Sequence, residues 1–275
     1  MKSDYQSAII LEDSESDNEN LDTKISMSDK MVSKKKRETQ KPLQKYYNMN
    51  PEIYEIGVDE VGRGPLFGRV YTAAVILPKD DSFDHFKMKD SKKFHSKKKI
   101  VEVSNYIKEN AIAWFISFED EKTIDEINIL QATQKSMHHS ILEVKKQLLV
   151  KETKIGNFDL TNINNYKLLI DGNYFNPISV LNKNTKQFET IPHVCVEGGD
   201  NVYSSIAAAS ILAKVERDKY IDDLCLENPD LIHHYCIDSN KGYGAKKHID
   251  GIKEHGITPW HRKTFGICKS FVNKY

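Results

Sequence analysis

The run Val70-Tyr71-Thr72-Ala73-Ala74-Val75-Ile76-Leu77, closed by Pro78, is almost wholly apolar. A strand wetted on one face alternates apolar and polar residues, so an unbroken apolar run of this length suits a strand covered on both faces. Strands are predicted on either side of it, at Ile53-Tyr54-Glu55-Ile56-Gly57-Val58 and at residues 111–118. Asp125 then opens a helical pattern in which Ile127, Leu130, Met137, Ile141, Val144 and Leu148 recur at spacings of three, four or seven, which predicts a helix over one face of the sheet. Lys167-Leu168-Leu169-Ile170-Asp171 and Ile191-Pro192-His193-Val194-Cys195-Val196 read as further buried strands, with a polar loop tip between them at residues 182–186. After Asp200 a second helix is predicted, with Val202, Ile206, Ala209, Ala213, Tyr220 and Leu224 on one face and small residues that permit close packing. Strands interleaved with helices imply an α/β domain.

The 275 residues allow one large domain, or a medium domain with appendages. Up to residue 50 the chain is poor in aromatics and rich in Ser, Asp, Glu, Asn and Lys, which cannot bury enough apolar surface to offset chain entropy. We therefore expect a disordered tail over residues 1–50 and one catalytic domain over residues 51–275. The formal net charge is zero, yet residues 1–29 carry eight acids against two bases and residues 30–45 carry seven bases against one acid. The four cysteines lie 30, 11 and 32 positions apart, matching neither a zinc knuckle nor a disulfide scaffold, so reduced intracellular thiols are expected. No apolar run approaches the roughly 20 residues of a membrane span.

Four acids stand where the chain changes direction. Asp59 and Glu60 end the first strand, Asp171 ends a buried strand before Gly172-Asn173, and Asp200 follows Gly198-Gly199 at the mouth of a helix. Successive strand side chains point to opposite faces, so adjacent acids serve one site only if the backbone turns there, and Gly62, Gly64 and Pro65 offer a turn. Clustered carboxylates raise one another's pKa unless cations neutralise them, and oxygen ligands favour Mg²⁺ or Mn²⁺. Taken one at a time, Asp200 is equally an N-cap, Asp171 a turn residue, and Asp59-Glu60 a solvated strand end.

Gly57-Val58-Asp59-Glu60-Val61-Gly62-Arg63-Gly64-Pro65-Leu66 with Gly68 resembles the signature of ribonuclease HII, the type 2 ribonuclease H family. Further blocks match in order: Asp90-Ser91-Lys92-Lys93, Ile127 to Thr133, Ile170-Asp171-Gly172-Asn173, Ser210 to Asp218, Gly242-Tyr243-Gly244 with His248, and His255 to Phe265. The resemblance runs from about Ile53 to Phe271, and Arg63 between two glycines separates it from the sister type III family.

This resemblance implies a ribonuclease H-like fold, with a mixed five-stranded sheet flanked by helices and a C-terminal helical extension. It implies hydrolysis of the RNA strand of RNA–DNA hybrids and cutting 5′ to ribonucleotides embedded in DNA, leaving a 5′-phosphate and a 3′-hydroxyl. Asp59, Glu60, Asp171 and Asp200 take the places of the catalytic and metal-binding acids, holding two Mg²⁺ or Mn²⁺ ions. Gly62, Arg63 and Gly64 resemble the loop whose backbone senses the ribose 2′-hydroxyl, and Tyr243 the tyrosine that packs on the adjoining sugar. A core or turn tyrosine is the plainer alternative for Tyr243. Two basic sets, Lys87, Lys89, Lys92, Lys93, Lys97, Lys98 and Lys99 around Asp90 and Lys241, Lys246, Lys247, Arg262 and Lys263 near the end, suit phosphate contacts, with Lys92 and Lys93 the chosen pair. Asn240, Ala245 and Gly198 depart from the family's usual His, Thr and Lys, and the 29 positions between Asp171 and Asp200 imply an inserted hairpin around Asn184. A junction-resolving nuclease and an inactive binding module tethered to a clamp are the competing readings.

In the tail, Gln40-Lys41-Pro42-Leu43-Gln44-Lys45-Tyr46-Tyr47 fits the pattern of peptides that dock on sliding clamps, or else Tyr46 and Tyr47 pack where the domain begins. Lys34-Lys35-Lys36-Arg37 resembles a nuclear import signal and Ile9-Ile10-Leu11 before Glu12-Asp13 a SUMO-binding strand. A monomer inside the cell, in cytoplasm or nucleus, is expected.

Overall fold

A computed structural model describes residues 42–152, 162–182 and 185–272. The import-signal and SUMO-type segments, Gln40 and Lys41, and Asn184 lie outside these residues. The strands are β1 (Tyr54–Val61), β2 (Val70–Ile76), β3 (Ala113–Glu119), β4 (Tyr166–Asp171), β5 (Ser179–Leu181), β6 (Phe188–Thr190) and β7 (His193–Val196). The helices are α1 (Lys97–Asn110), α2 (Glu121–Glu152), α3 (Ser204–Glu227), α4 (Asp230–Tyr235), α5 (Ile237–Asn240) and α6 (Lys246–His255). Five strands form a mixed sheet in the order β3-β2-β1-β4-β7, in which β1 to β3 are antiparallel neighbours and β1, β4 and β7 run parallel.

The apolar run that became β2 is buried at every position. Ala74 and Ile76 face α2, packing with Met137, Ile141, Val144 and Leu148. Tyr71, Ala73 and Val75 face α1 and α3. Full burial of a Val or Ile side chain is worth roughly 1.5–3 kcal/mol, so covering both faces makes this strand the centre of the core. The close approach of α3 depends on glycine: a Cβ on Gly57 would lie 2.2 Å from the Ser205 carbonyl carbon. All ten residues from Ser204 to Ala213 are buried, so the first half of α3 is enclosed all round rather than on the single face its spacing predicted. Val202 precedes this helix.

The α2 helix starts at Glu121, not at Asp125, and bends at Asn128, whose φ of 65° and ψ of 163° are not helical. Ile127, expected in the core, is consequently exposed, while Asp125 accepts the backbone N–H groups of Lys263 and Thr264. The inserted hairpin between Asp171 and Asp200 is present as β5 and β6. Beyond α3 a separate apolar cluster of Phe67, Ile221, Leu231, Tyr235, Ile237 and Ile252 holds the helical extension.

The domain also begins earlier than residue 51. The Gln44 N–H donates to the Val202 carbonyl and the Ser204 N–H to the Gln44 carbonyl, a bridge to the start of α3. Leu43 packs against the α1–α3 core, Tyr46 lies edge-on to His85, and buried Glu55 accepts the N–H groups of Tyr47 and Asn48. The boundary therefore lies at or before Pro42, and the described part of the clamp-like peptide is packed where the domain begins.

Candidate active site

The three parallel strands carry the acids at their carboxyl ends, where open α/β sheets place their sites. Register pairing of β1 with β4 stops at Val58 and Ile170, and β4 ends at Asp171. By this register Asp59 stands level with Asp171, the last residue of β4, and Glu60 runs past it. The chain leaves the strand at Gly62, where the glycine turn was expected, but β1 stays regular through Val61, so this turn lies beyond the two acids and is not what lets them share a site. Instead, side chains leaving opposite faces of β1 meet around the end of β4: ligand oxygens of Asp59, Glu60 and Asp171 lie within 4.8 Å of one another.

Asp200 adjoins this trio rather than joining it. It sits in a short turn of 3-10 helix, Gly199–Asn201, after Gly198 has reversed the chain in a left-handed conformation at φ 62°. Its electrostatic neighbours are Asp90, Asp171 and Lys92. The Asn201 amide donates to Asp200 Oδ1 at 3.0 Å and to Asp90 Oδ2 at 3.3 Å. Lys93 in turn donates to the Asn201 side-chain oxygen.

These carboxyls are destabilised as anions. Burial, then the charges of Glu60 and Asp171, pushes Asp59 well above the ordinary carboxylate range, against hydrogen bonds from Ser210 and from the Glu60 N–H. The Ser210 hydroxyl is itself tied to Ser91 at 2.9 Å. Burial also raises Glu60, with Arg63 opposing and Asp171 reinforcing, and raises Asp200 together with Asp90 and Asp171. Burial alone would lower Lys92, but Asp200, Asp90, Asp59 and Asp171 together hold its ammonium above the usual value. Lys92 is therefore counter-charge to the whole acid group. All donors in the tight trio are carboxylate oxygens, the hard ligand set that fits a divalent cation of the magnesium or manganese kind. Among the described residues no cysteine or histidine joins such a group, and all four cysteines are free.

Beside the acids lies the glycine loop. Gly62 takes φ 91°, and a Cβ there would stand 2.3 Å from Arg217 Nε, so glycine is required by the buried arginine behind it. Gly64 is exposed, and the Tyr243 ring covers it, with Cε1 3.6 Å from the position of a Cβ. Tyr243 itself is half-exposed and its N–H donates to the Asn240 carbonyl at 3.0 Å, so of the plainer alternatives it is a turn tyrosine and not a core one. The departure at Asn240 is filled structurally, since its side chain accepts the Gly242 N–H at 2.8 Å and donates to the Tyr235 carbonyl at 2.7 Å.

One residue assigned to a phosphate-facing basic set is misplaced by that reading. Arg262 is fully buried. Its guanidinium donates to the carbonyls of Gly62, Arg63, Pro65 and Gly68, while Arg217, also buried, donates to those of Phe67, Arg69 and Lys241. Lys241 is held by Asp222 at 2.6 Å. Ser91, Ser210 and His261 fall inside matched blocks and Asn201 just after Asp200, but sequence reasoning assigns none of the four a role of its own.

Sheet order and the flanking helices define a ribonuclease H-like fold. Solved structures share it: the ribonuclease H2 from Pyrococcus horikoshii aligns with TM-score 0.52 at 20% identity, covering 80% of this chain and 97% of that one. The RNase HII in the PCNA:RNase HII complex from Archaeoglobus fulgidus aligns with TM-score 0.53 at 21% identity, covering 78% and 96%. The family profile of ribonuclease HII matches residues 56–268. The Ribonuclease HII of Parabacteroides distasonis is 43% identical over 213 residues, covering 78% of this chain and 90% of the relative. That of Endomicrobium trichonymphae is 40% identical over 226 residues, covering 82% and 91%. The chain belongs to the ribonuclease HII family, metal-dependent endoribonucleases of type 2 that cleave the RNA of RNA–DNA hybrids and nick 5′ of embedded ribonucleotides. Membership sets aside the junction-resolving alternative. No helix among the described residues is long and apolar enough to cross a membrane.

Proposed function

We propose that Asp59, Glu60, Asp171 and Asp200 are the catalytic acids of this chain and hold two Mg²⁺ or Mn²⁺ ions while it cuts at ribonucleotides. The observation that carries this is the convergence of Asp59, Glu60 and Asp171 within 4.8 Å in a buried setting that disfavours their charge. Cations in such a site supply an activated water and charge to offset that developing on the leaving 3′ oxygen. The protein's part is positioning. Ser210 and the Gly199 N–H fix one oxygen each of Asp59 and Asp171, and Asn201 fixes Asp200. Lys92 limits repulsion among the acids and, with Lys93 at the rim, faces the phosphate backbone. Residues 62–64 present backbone to the ribose, and Tyr243, lying over Gly64, packs on the next sugar.

A duplex carrying one embedded ribonucleotide, incubated with Mg²⁺ or Mn²⁺, tests the reading. Cleavage 5′ to that ribonucleotide, leaving 5′-phosphate and 3′-hydroxyl ends, is expected. Binding without cleavage, or cleavage of all-DNA junctions, would overturn it.

A sliding clamp is a second proposed partner, through residues 40–47. The Archaeoglobus fulgidus protein is in complex with PCNA. In this chain Leu43 and Tyr46 are packed on the domain, so docking requires that they leave it. Clamp pull-down with wild type and with Tyr46→Ala/Tyr47→Ala tests this, undiminished binding by the variant being the result that removes it.

A further inference from the structure

Arg262 is a buried cation whose hydrogen bonds go to no carboxylate. Buried charges need compensation, and here it comes from four backbone carbonyls: Gly62 at 2.6 Å, Arg63 and Pro65 at 2.9 Å, and Gly68 at 2.8 Å. Burial, with the like charge of Arg217 next, pushes the Arg262 guanidinium down to about 9. Such an arrangement is unfavourable as a mere filler of space, so its geometry calls for a reason.

The reason lies on the other side of the same peptides. A trans peptide is planar with C=O and N–H opposed. Drawing the Gly62 carbonyl inward turns the Arg63 N–H outward, and drawing the Arg63 carbonyl inward turns the Gly64 N–H outward. Residues 63 and 64 are exposed whereas Gly62 and Pro65 are buried. Among the described residues neither of these two N–H groups meets an acceptor. Successive N–H groups next to a residue of positive φ form a small concavity that receives an oxygen, and Gly62 has φ 91°. The concavity lies between Glu60, whose carboxylate is 3.5 Å from Arg63 Nη1, and the Tyr243 ring over Gly64.

We propose that Arg262 is a positioning residue for ribose recognition, its fork of donors holding the carbonyls of residues 62, 63 and 65 inward so that the Arg63 and Gly64 N–H groups face the sugar's 2′-oxygen. This rests on the reading of residues 62–64 as the ribose-sensing loop. Only a planar guanidinium spans four carbonyls at once, since a lysine has three donors at a single point. Arg217 performs the same service one step further along, on residues 67 and 69.

The test uses the full chain, a duplex with one embedded ribonucleotide and the same duplex all in DNA. For Arg262→Ala, kcat/KM on the ribonucleotide duplex is expected to fall about 100-fold, the scale set by small misplacements of reacting groups. Affinity for the all-DNA duplex, which offers no 2′-oxygen, is expected to stay unchanged. Added ethylguanidinium is expected to restore cleavage, and ethylammonium at equal concentration is not. Arg262→Lys keeps the charge and covers the case in which Arg262→Ala does not fold; it too is expected to lose cleavage at the ribonucleotide. Wild-type cleavage by Arg262→Lys, equal loss of affinity for both duplexes, or equal rescue by the two cations would overturn the proposal. Wild type that cuts both duplexes alike would instead overturn the ribose-sensing reading beneath it.

Discussion

The backbone N–H of Gly199 donates to Asp171 Oδ1 at 2.7 Å, tying the acid at the end of β4 to the turn that carries Asp200. These two parts of the site are 28 residues apart in the chain, and the β5–β6 hairpin intervenes. A methyl on Gly199 would stand 2.6 Å from Ile206 Cδ1, 3.3 Å from Val196 Cβ and 3.4 Å from Asp171 Oδ1. Gly199→Ala is therefore expected to lower stability by about 1–3 kcal/mol, as overpacking does, and to reduce cleavage beyond what unfolding explains. Gly198→Ala is the control: its Cβ meets nothing within 4 Å, and the φ of 62° costs roughly 1–2 kcal/mol without touching Asp171. Urea denaturation and cleavage rates of both variants separate the effects, and equal residual activity would show that the Asp171 contact has no role.

Asn201 offers a second handle on Asp200. Its amide bridges Asp200 and Asp90, and its oxygen receives Lys93. Groups that orient metal ligands typically alter metal affinity by about 10–100-fold when removed. Asn201→Ala is expected to raise the Mg²⁺ concentration for half-maximal cleavage by about that factor, with the saturated rate less affected. A fall in saturated rate at unchanged Mg²⁺ dependence would place Asn201 outside this role.

Much of this was legible because β2 is apolar on both faces, which forces a covered sheet, and because α2 from Met137 onward keeps its spacing into the core. Failures came where tertiary contacts override local pattern. Ile127 precedes a kink imposed at Asn128, and α3 has no polar face over its first ten residues because β1, β2 and α1 enclose it. Asp59, Glu60 and Asp171 come together as their strand-end positions suggested, but the way adjacent strand residues share a site depends on where β4 ends, which no local signal reports. Arg262 shows the limit most clearly. Beside Lys263 it reads as surface charge, and its partners are about 200 positions away in sequence.

Asp59 gives a prediction about stability with the opposite sign to its effect on activity. Its carboxyl is raised, so the folded protein keeps the proton to higher pH than the unfolded chain does. Stability is lost as pH climbs from the unfolded value near 3.9 through the raised one. At neutral pH without metal the ionised site is thus a liability. Asp59→Asn is expected to abolish cleavage, keep hybrid binding, and melt higher than wild type in chelator, by roughly 2–4 °C for each kcal/mol relieved. Mg²⁺ should then raise the wild-type melting temperature more than that of the variant. A variant that melts below wild type in chelator would contradict the charge argument.

Two buried histidines connect pH to the placement of Tyr243. The Thr258 N–H donates to His261 Nδ1 at 2.9 Å, so the His261 proton sits on Nε2 and points to His248 Nε2 at 3.0 Å. His248 is then left to donate from Nδ1 to the Tyr243 carbonyl at 2.8 Å. The chain of bonds closes only with both rings neutral. Burial, with His248 adding to it, pushes His261 down to about 3, and burial lowers His248 as well. A lowered histidine takes up its proton in the unfolded chain first, so its stabilising effect is full above about pH 6.5 and is lost as pH falls towards 3. At pH 5 the loss from His261 alone is about 2 kcal/mol. The acid cluster titrates in wild type and in His261→Asn alike, so the difference between them isolates the ring. Wild type is expected to lose about 2 kcal/mol more than His261→Asn between pH 7.5 and pH 5 in urea titrations. Parallel losses in the two proteins would mean that His261 is protonated without penalty and that the relay to Tyr243 does not depend on its neutrality.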